Sequence, residues 1–182
     1  MERELELKFR LLDKQVFIEK LRKLGIVLSE EREQNDTIFF RRGKGFADLK
    51  DGEPVIRIRE ENNRVKATLK KYVYGITDRE EIECGVSDAN LFCDFLIALD
   101  CVPVVTVNKT RAKGSYAGAT ITLDHVDGLG DFTEIEIMSD QKETDSNSRK
   151  LKDIIIDLEL DMRDLVSIPY DEMLFLKGKE DD

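Results

Sequence analysis

The sequence predicts an α+β protein built on an eight-stranded, mostly antiparallel β-barrel, closed or nearly closed, with three or four flanking helices. Three observations predict this fold. Segments in which apolar and charged residues alternate recur along the chain, and short turns containing Gly or Asn separate several of them. Helical spacing of apolar residues appears only in a few stretches between these segments. Many alternating strands joined by short turns are typical of antiparallel hairpins.

The alternating segments are predicted as strands because a period of two places successive side chains on opposite faces of a sheet. The predicted strands are residues 1–10, 34–40, 55–60, 64–74, 79–84, 102–113, 119–126 and 131–138. Asn62 and Asn63 separate the third strand from the fourth, and such a pair favours the tight turn of a hairpin. A turn is also predicted at residues 128–130, between the last two strands.

Helices are predicted after Asp13, after Asp88, over residues 144–160 and after Pro169. Asp13 and Asp88 are candidate N-caps because an Asp side chain accepts hydrogen bonds from the first free N–H groups of a helix. Gly25 is the expected C-cap of the first helix. The apolar residues of the helices need a surface on which to pack, and the aliphatic faces of the strands provide it.

Length and charge limit the possible functions. The chain has 182 residues, and we expect a single domain over residues 1–176 and a frayed acidic tail over residues 177–182. The hydrophobic fraction of 41% is sufficient for a core. The net charge of −10 repels polyanions, so we expect no binding to nucleic acid.

The chain is expected to be cytoplasmic and not to enter a membrane. Apolar runs such as residues 95–99 are far shorter than the ~20 residues of a membrane helix, and the N-terminus lacks a signal-peptide pattern. Three cysteines, an odd number without a Cys-x-x-Cys pair, indicate reduced thiols.

A single histidine, His125, excludes a metal site built from several histidines. A Ser/His/Asp triad is unpromising, because Asp124 directly precedes His125 and neighbouring strand residues point to opposite faces. We expect His125 to be a packed structural residue on the aliphatic face of its strand, with Ile121 and Leu123.

The other face of the predicted strands is charged. Its acids are Glu4, Glu6, Glu81, Glu83, Asp124, Glu134 and Glu136, and its bases are Lys8, Arg57, Arg59, Lys66, Lys70, Arg79, Lys109, Arg111 and Lys113. Periodicity alone permits two interpretations. The charged faces are either the solvated outside of ordinary half-buried strands or, if helices cover the aliphatic faces, the inside of a barrel.

Two pairs of carboxylates favour the second interpretation. Glu4 and Glu6, and likewise Glu134 and Glu136, place two carboxylates on one face, about 7 Å apart along the strand. Paired carboxylates without histidine are suitable ligands for Mg²⁺ or Mn²⁺. Nine bases on the same faces suit a polyanion such as a triphosphate, since Arg and Lys both bind phosphate oxygens.

The sequence resembles the CYTH-domain proteins, the triphosphate tunnel metalloenzymes. Glu4-Leu5-Glu6-Leu7-Lys8 matches their Glu-x-Glu-x-Lys signature on the first strand. The later motifs follow in the family's order, at residues 34–36, 39–40, 48–49, 55–59, 68–70, 79–81, 109–111 and 124–136. The stretch 121–132 is most similar to the class IV adenylyl cyclase branch.

This resemblance implies an eight-stranded barrel that holds a triphosphate and one or two divalent ions, Mg²⁺ or Mn²⁺. It implies metal ligands at Glu4, Glu6, Glu134 and Glu136, with Asp124 as a further candidate. It implies that the residues that bind the phosphates and act in catalysis are Lys8, Arg57, Arg59, Lys70, Lys109 and Arg111. Arg79 and Glu81 are implied to support these residues through salt bridges.

The first functional hypothesis is a cyclase, a phosphorus–oxygen lyase that converts ATP into 3′,5′-cyclic AMP and pyrophosphate. The alternative enzyme is a triphosphatase that hydrolyses thiamine triphosphate or inorganic triphosphate. A non-catalytic pocket for nucleotides or polyphosphate and a lipocalin-like carrier with charged outer faces are further alternatives. The expected partner is a small-molecule triphosphate, and a homodimer is the default expectation for a soluble enzyme of this size.

Overall fold

The computed structural model describes residues 3–72, 79–139 and 144–180. Its strands are β1 (Arg3–Arg10), β2 (Arg32–Arg41), β3 (Val55–Glu61), β4 (Arg64–Tyr72), β5 (Arg79–Val86), β6 (Cys101–Tyr116), β7 (Ala119–Val126), β8 (Gly130–Ser139) and β9 (Leu165–Val166). Its helices are α1 (Lys14–Lys23), α2 (Ala89–Ala98), α3 (Thr144–Asp157) and α4 (Tyr170–Glu180). All eight predicted strands are present within the described residues, and the two-residue strand β9 is additional. The predicted strand positions 1–2 and 73–74 lie outside the described residues. None of the described helices is long and apolar enough to cross a membrane.

The strands form one sheet in the order β5-β4-β3-β2-β6-β7-β8-β1-β9. Every pairing whose register is described is antiparallel, which confirms the predicted α+β class and sheet type. The order has two ends, so among the described residues the strand pairing does not form a closed ring.

The chain divides into two compact units. The first contains Met1–Arg32 and Thr110–Pro169, and the second contains Glu33–Lys109 and Tyr170–Asp182. Strand β6 contributes to both units. The single domain predicted over residues 1–176 stays a prediction. Helix α4 ends at Glu180, so it includes the first four residues of the segment that we expected to be a frayed tail.

The core of the first unit lies between the aliphatic faces of β1, β7 and β8 and the helices α1 and α3. Phe9, Ile121 and Ile135 of the strands are fully buried in one cluster with Leu21 of α1 and Ile154 of α3. Burial of side chains of this size stabilises the fold by about 1.5–3 kcal/mol each. The helices therefore cover the aliphatic face, as the sequence predicts, and the opposite face of these strands is the charged one.

The core of the second unit lies under helix α2. Ile58 of β3 and Ala67 of β4 are buried together with Leu96 of α2. The hairpin between these two strands turns at Asn62 and Asn63, whose φ angles of 50° and 58° place both in the left-handed region that a type I′ turn requires. The predicted turn is confirmed.

The two predicted N-caps are confirmed as well. Asp13 accepts hydrogen bonds from the backbone N–H groups of Gln15 and Val16 at 2.9 and 3.0 Å, and Asp88 accepts one from Leu91 at 3.0 Å. These bonds satisfy donors that have no partner within the helix, and such a cap stabilises a helix by about 1 kcal/mol.

The prediction for His125 is wrong. Its side chain is 48% exposed, and its Nδ1 lies 2.8 Å from Oδ1 of Asp131. Ile121 and Leu123 on the same face do belong to the buried core. The packed core reaches Leu123 but does not extend to His125. The aliphatic face of β7 is therefore exposed to solvent at His125.

Candidate metal and phosphate-binding site

Four side chains on the charged face of the first unit are buried. Lys8, Arg111, Asp124 and Glu134 are exposed by only 7%, 8%, 0% and 5%, respectively. A solvated outer face would leave such side chains in water, because burying a charge is costly unless it is paired. The interpretation of these positions as an ordinary outer surface is therefore excluded.

Three carboxylates of this face form a cluster. In the pairing of β1 with β8, Glu6 lies directly opposite Glu136. Glu134 is two residues from Glu136 on β8, so its side chain is on the same face of the sheet. Each of the three offers an oxygen, and these oxygens all lie within 4.8 Å of one another. Glu134 is buried, Glu136 is half-buried and Glu6 is exposed, so the cluster is accessible from one side. Clustered carboxylate oxygens are what Mg²⁺ and Mn²⁺ select, so these residues fit such an ion.

Lys8 lies beside the acidic cluster. It is directly opposite Glu134 in the pairing of β1 with β8, and its Nζ is 3.6 Å from Oε1 of Glu134 and 4.0 Å from Oε1 of Glu6. Its ammonium also donates a hydrogen bond to the carbonyl oxygen of Ile168 at 3.4 Å. Lys8 thus brings a nearly buried positive charge to the edge of the carboxylate group.

Arg111 lies on the other side of the cluster. Its Nε donates to Oδ1 of Asp124 at 2.7 Å, its Nη2 donates to Asp124 and Glu134, and its Nη1 lies 3.6 Å from Oε1 of Glu136. Burial alone would lower the pKa of Arg111, but the hydrogen bond to Asp124 and the three carboxylate charges raise it above the usual value. The guanidinium is therefore firmly charged and fixed in orientation.

Asp124 lies beside Arg111, and its implied role as a further metal ligand stays a prediction. It is fully buried and accepts hydrogen bonds from two nitrogens of Arg111, whereas the three-carboxylate group consists of Glu6, Glu134 and Glu136. Its observed contacts are those of an anchor for Arg111. The strand position of Glu4 is described, opposite Met138, but its side chain lies outside the described part of the structure.

In the second unit, Arg59 is tied to an acid. It lies directly opposite Asp36 in the pairing of β2 with β3, and its Nε and Nη2 donate to the two Asp36 oxygens at 2.6 Å each. Burial raises the pKa of Asp36, but the hydrogen bonds and charge of Arg59 outweigh burial and hold the pKa below its usual value. The sequence pointed to Asp36 only as part of the motif at residues 34–36, without naming Arg59 as its partner.

No described carboxylate forms an ion pair or hydrogen bond with Arg57, in contrast to Arg59. Its Nη2 donates to Oγ1 of Thr68 at a long 3.5 Å, and its buried Nε has no hydrogen-bond partner among the described residues. Burial and the neighbouring charge of Arg59 lower the pKa of Arg57. A buried guanidinium with an unused donor is a favourable place for an anion, because an anion would supply both the charge and the missing acceptor.

Two further predicted bases of this unit, Lys70 and Lys109, have partners. Lys70 of β4 forms a 2.7 Å ion pair with Glu81 directly opposite on β5, in keeping with the supporting role predicted for Glu81. Lys109 is buried, and its Nζ lies 5.0 Å from the centre of the Tyr170 ring. Nothing in the sequence pattern indicated Tyr170 as a partner of Lys109. The side chain of Arg79 lies outside the described part of the structure.

Comparison with known proteins agrees with this arrangement. The model of the CYTH domain matches residues 2–166, which is most of the chain. The chain belongs to the CYTH-domain family. CYTH proteins are enzymes that act on triphosphates with the help of divalent metal ions, and the acidic cluster of the first unit provides suitable ligands.

Individual known proteins are similar over nearly the whole chain. A Methanocaldococcus jannaschii protein, named provisionally as an adenylate cyclase, is 28% identical over 174 residues, covering 93% of this chain and 97% of the relative. A solved Pyrococcus horikoshii structure is 30% identical with a TM-score of 0.78, covering 96% and 99% of the two chains. A Hippeastrum protein, to which a dominant triphosphatase activity is ascribed, shares the fold at 15% identity and a TM-score of 0.66, covering 98% and 96%.

Proposed function

We propose that this protein is a metal-dependent enzyme of the class IV adenylyl cyclase type, which converts ATP into 3′,5′-cyclic AMP and pyrophosphate. The observation that carries the proposal is the cluster of Glu6, Glu134 and Glu136 enclosed by Lys8 and Arg111. The similarity of residues 121–132 to the cyclase branch and the name of the Methanocaldococcus jannaschii relative support cyclisation as the reaction.

Glu6, Glu134 and Glu136 would hold the ion, Mg²⁺ or Mn²⁺, and Glu4 stays a predicted fourth ligand. When bound, such an ion supplies positive charge that neutralises phosphate oxygens. A phosphate-binding pocket without metal needs bases but has little use for three adjoining carboxylates. The carboxylates therefore favour a metal-dependent enzyme over a simple anion-binding protein.

Each unit offers cations that would bind phosphate oxygens. In the first unit, Lys8 and Arg111 lie at the carboxylate cluster and can contact phosphates held there. In the second unit, Arg57 offers an unused donor. The remaining predicted phosphate-binding and catalytic residues are Arg59, Lys70 and Lys109, each of which already has a protein partner. These residues would add positive charge while their partners fix their orientation.

In cyclisation, the ribose 3′-hydroxyl oxygen bonds to the α-phosphorus. The bond from this phosphorus to the oxygen that bridges the α- and β-phosphorus atoms breaks. The hydroxyl proton is released, and pyrophosphate leaves with the electron pair of the broken bond. Fixed cations stabilise the charge that develops on the leaving pyrophosphate, and their contribution is large because the site is shielded from water. The role of Lys8 and Arg111 is thus to orient the triphosphate and to stabilise its leaving group.

A triphosphatase is the second candidate, and the observation that favours it is the dominant triphosphatase activity ascribed to the Hippeastrum protein. In that reaction, a water oxygen bonds to the terminal phosphorus and the bond from this phosphorus to the bridging oxygen breaks. Orthophosphate forms, the shortened phosphate chain leaves with the electron pair of the broken bond, and a water proton is released to solvent. The same carboxylates and cations serve both reactions. The position of the substrate along the site decides which phosphorus is attacked.

Phosphorus NMR of the purified protein with ATP and excess Mg²⁺ or Mn²⁺ distinguishes these reactions. Cyclic AMP and pyrophosphate would support the cyclase, whereas ADP and orthophosphate would support the triphosphatase. Glu136→Gln should abolish either reaction, because it removes a ligand charge while preserving size. Glu19→Gln, at an exposed position of α1, is the matched control and should remain active. Activity that persists in Glu136→Gln would overturn the proposed site.

Unchanged ATP would lead to the same experiment with inorganic triphosphate and thiamine triphosphate. Failure with all three would favour the non-catalytic pocket, provided that the protein still binds a triphosphate. A cytoplasmic location and a homodimeric assembly stay predictions.

A further inference from the structure

Two buried threonines join β7 to β8 beside the carboxylate cluster. The two strands pair at Ile121 opposite Ile135 and again at Asp124 opposite Phe132. Between these positions, the hydroxyl of Thr133 donates to the carbonyl oxygen of Thr122 at 2.7 Å, and the hydroxyl oxygen of Thr122 accepts from the backbone N–H of Glu134 at 3.1 Å. Side chains thus carry hydrogen bonds between the strands at the point where Glu134 enters the site.

Both threonines are 0% exposed. A hydrogen bond between buried groups contributes about 0.5–1.5 kcal/mol, so the bond from the Glu134 N–H to Thr122 holds the local backbone at this point of β8. That backbone carries the most buried of the three carboxylates. The position of the Glu134 carboxylate therefore depends on the hydroxyl of Thr122.

We infer that Thr122 is a positioning residue for the metal site, acting through the backbone of Glu134. The inference rests on the proposed metal-binding function. A divalent ion needs its oxygens at fixed separations, and groups that orient the ligands commonly contribute tenfold to a hundredfold to affinity. Thr122 contacts neither the ion nor the substrate in this account. Its hydroxyl keeps the backbone of β8 at the distance from β7 that brings Glu134 to Glu6 and Glu136.

The test is titration of the full-length protein with Mn²⁺, in which electron paramagnetic resonance measures the free ion. Thr122→Val replaces the hydroxyl by a methyl group of similar size, so the hydrogen bond from the Glu134 N–H to this side chain is lost. The expected result is a loss of Mn²⁺ affinity of about tenfold to a hundredfold. Thr122→Ser keeps the hydroxyl and should retain affinity near that of the wild type.

Thr133→Val is the matched control. It removes the other buried hydroxyl of the same junction but leaves the bond to Glu134 intact. We expect it to lower thermal stability about as much as Thr122→Val while Mn²⁺ affinity stays near that of the wild type. An equal loss of affinity in both variants would show that general strand integrity is responsible, and it would overturn the inference.

Circular dichroism verifies that each variant is folded. If Thr122→Val does not fold, Thr122→Ala provides the second variant that lacks the hydroxyl and should show the same loss. An unchanged Mn²⁺ affinity in a folded variant without the hydroxyl, or a loss in Thr122→Ser, would overturn the positioning role. If Glu134→Gln does not weaken Mn²⁺ binding, the proposed metal site itself fails, and the two failures are thereby distinguished.

Discussion

Replacing Asp124 with Asn is expected to destabilise the protein substantially. Asp124 is fully buried and accepts hydrogen bonds from Nε and Nη2 of Arg111. Asn has the same size but presents a donating amide in place of one oxygen. One of the two hydrogen bonds is therefore lost, and the amide hydrogens face those of the guanidinium.

The magnitude follows from the contacts that remain. A hydrogen bond to a charged group contributes about 1.5–3 kcal/mol, and leaving a buried charge without any partner costs about 3–5 kcal/mol. Arg111 keeps Glu134 and Glu136 as partners, so the loss should lie near the lower of these ranges, at about 2–3 kcal/mol. For a chain of 182 residues, this loss lowers Tm by roughly 4–12 °C.

Urea unfolding followed by far-UV circular dichroism measures the difference. Asp100→Asn is the matched control, because Asp100 accepts from Nε of Arg42 at 2.6 Å with both side chains more than half exposed. Its φ of 62° also suits Asn. An exposed pair contributes less than about 1 kcal/mol, so this variant should stay close to the wild type. Equal losses in the two variants would refute the account of Asp124 as a buried anchor.

Three further predictions concern the charged groups. Because the pKa of Asp36 is depressed by Arg59, its contribution to stability is present above the unfolded-state pKa of about 4 and is lost as the pH falls through the folded-state pKa. Thermal melts from pH 6 to pH 2 should accordingly show a shallower acid loss for Asp36→Asn, and an equal slope would contradict this. Arg57→Gln should weaken triphosphate binding, measured by calorimetry, with little change in Tm. The reason is that it removes a buried guanidinium whose Nε has no partner among the described residues. A large fall in Tm with unchanged triphosphate binding would contradict this prediction. Glu136→Gln should keep or raise Tm in EDTA, since like charges are relieved, but should lose the stabilisation that Mn²⁺ gives the wild type, about 2.7 kcal/mol at a hundredfold excess over Kd. A wild-type Tm that does not respond to Mn²⁺ would oppose this expectation.

Alternation predicted most of the fold because a strand has a period of two. The pairing of Ile121 with Ile135 on one face and the burial of Glu134 on the other agree with that pattern. Local rules also predicted the turn at Asn62-Asn63, since backbone conformation there depends on neighbouring residues alone. The covered aliphatic face then required the charged face to be the other side of the sheet.

The partners within the charged face were not predictable, because they depend on the register between strands distant in sequence. The sequence indicated Asp124 as a charged-face residue, but not that it would accept two hydrogen bonds from Arg111. The exposure of His125 similarly depends on how far the packed core extends along β7. The hydroxyl of Thr122 gave no signal, because threonine is an ordinary strand residue.

The most direct test of the central claim is anomalous diffraction from crystals of the protein grown with Mn²⁺ and a non-hydrolysable ATP analogue. The account predicts an anomalous peak bound by carboxylate oxygens of Glu6, Glu134 and Glu136, with a phosphate of the analogue contacting Lys8 or Arg111. A Mn²⁺ peak bound elsewhere, with these three carboxylates binding no ion, would contradict it.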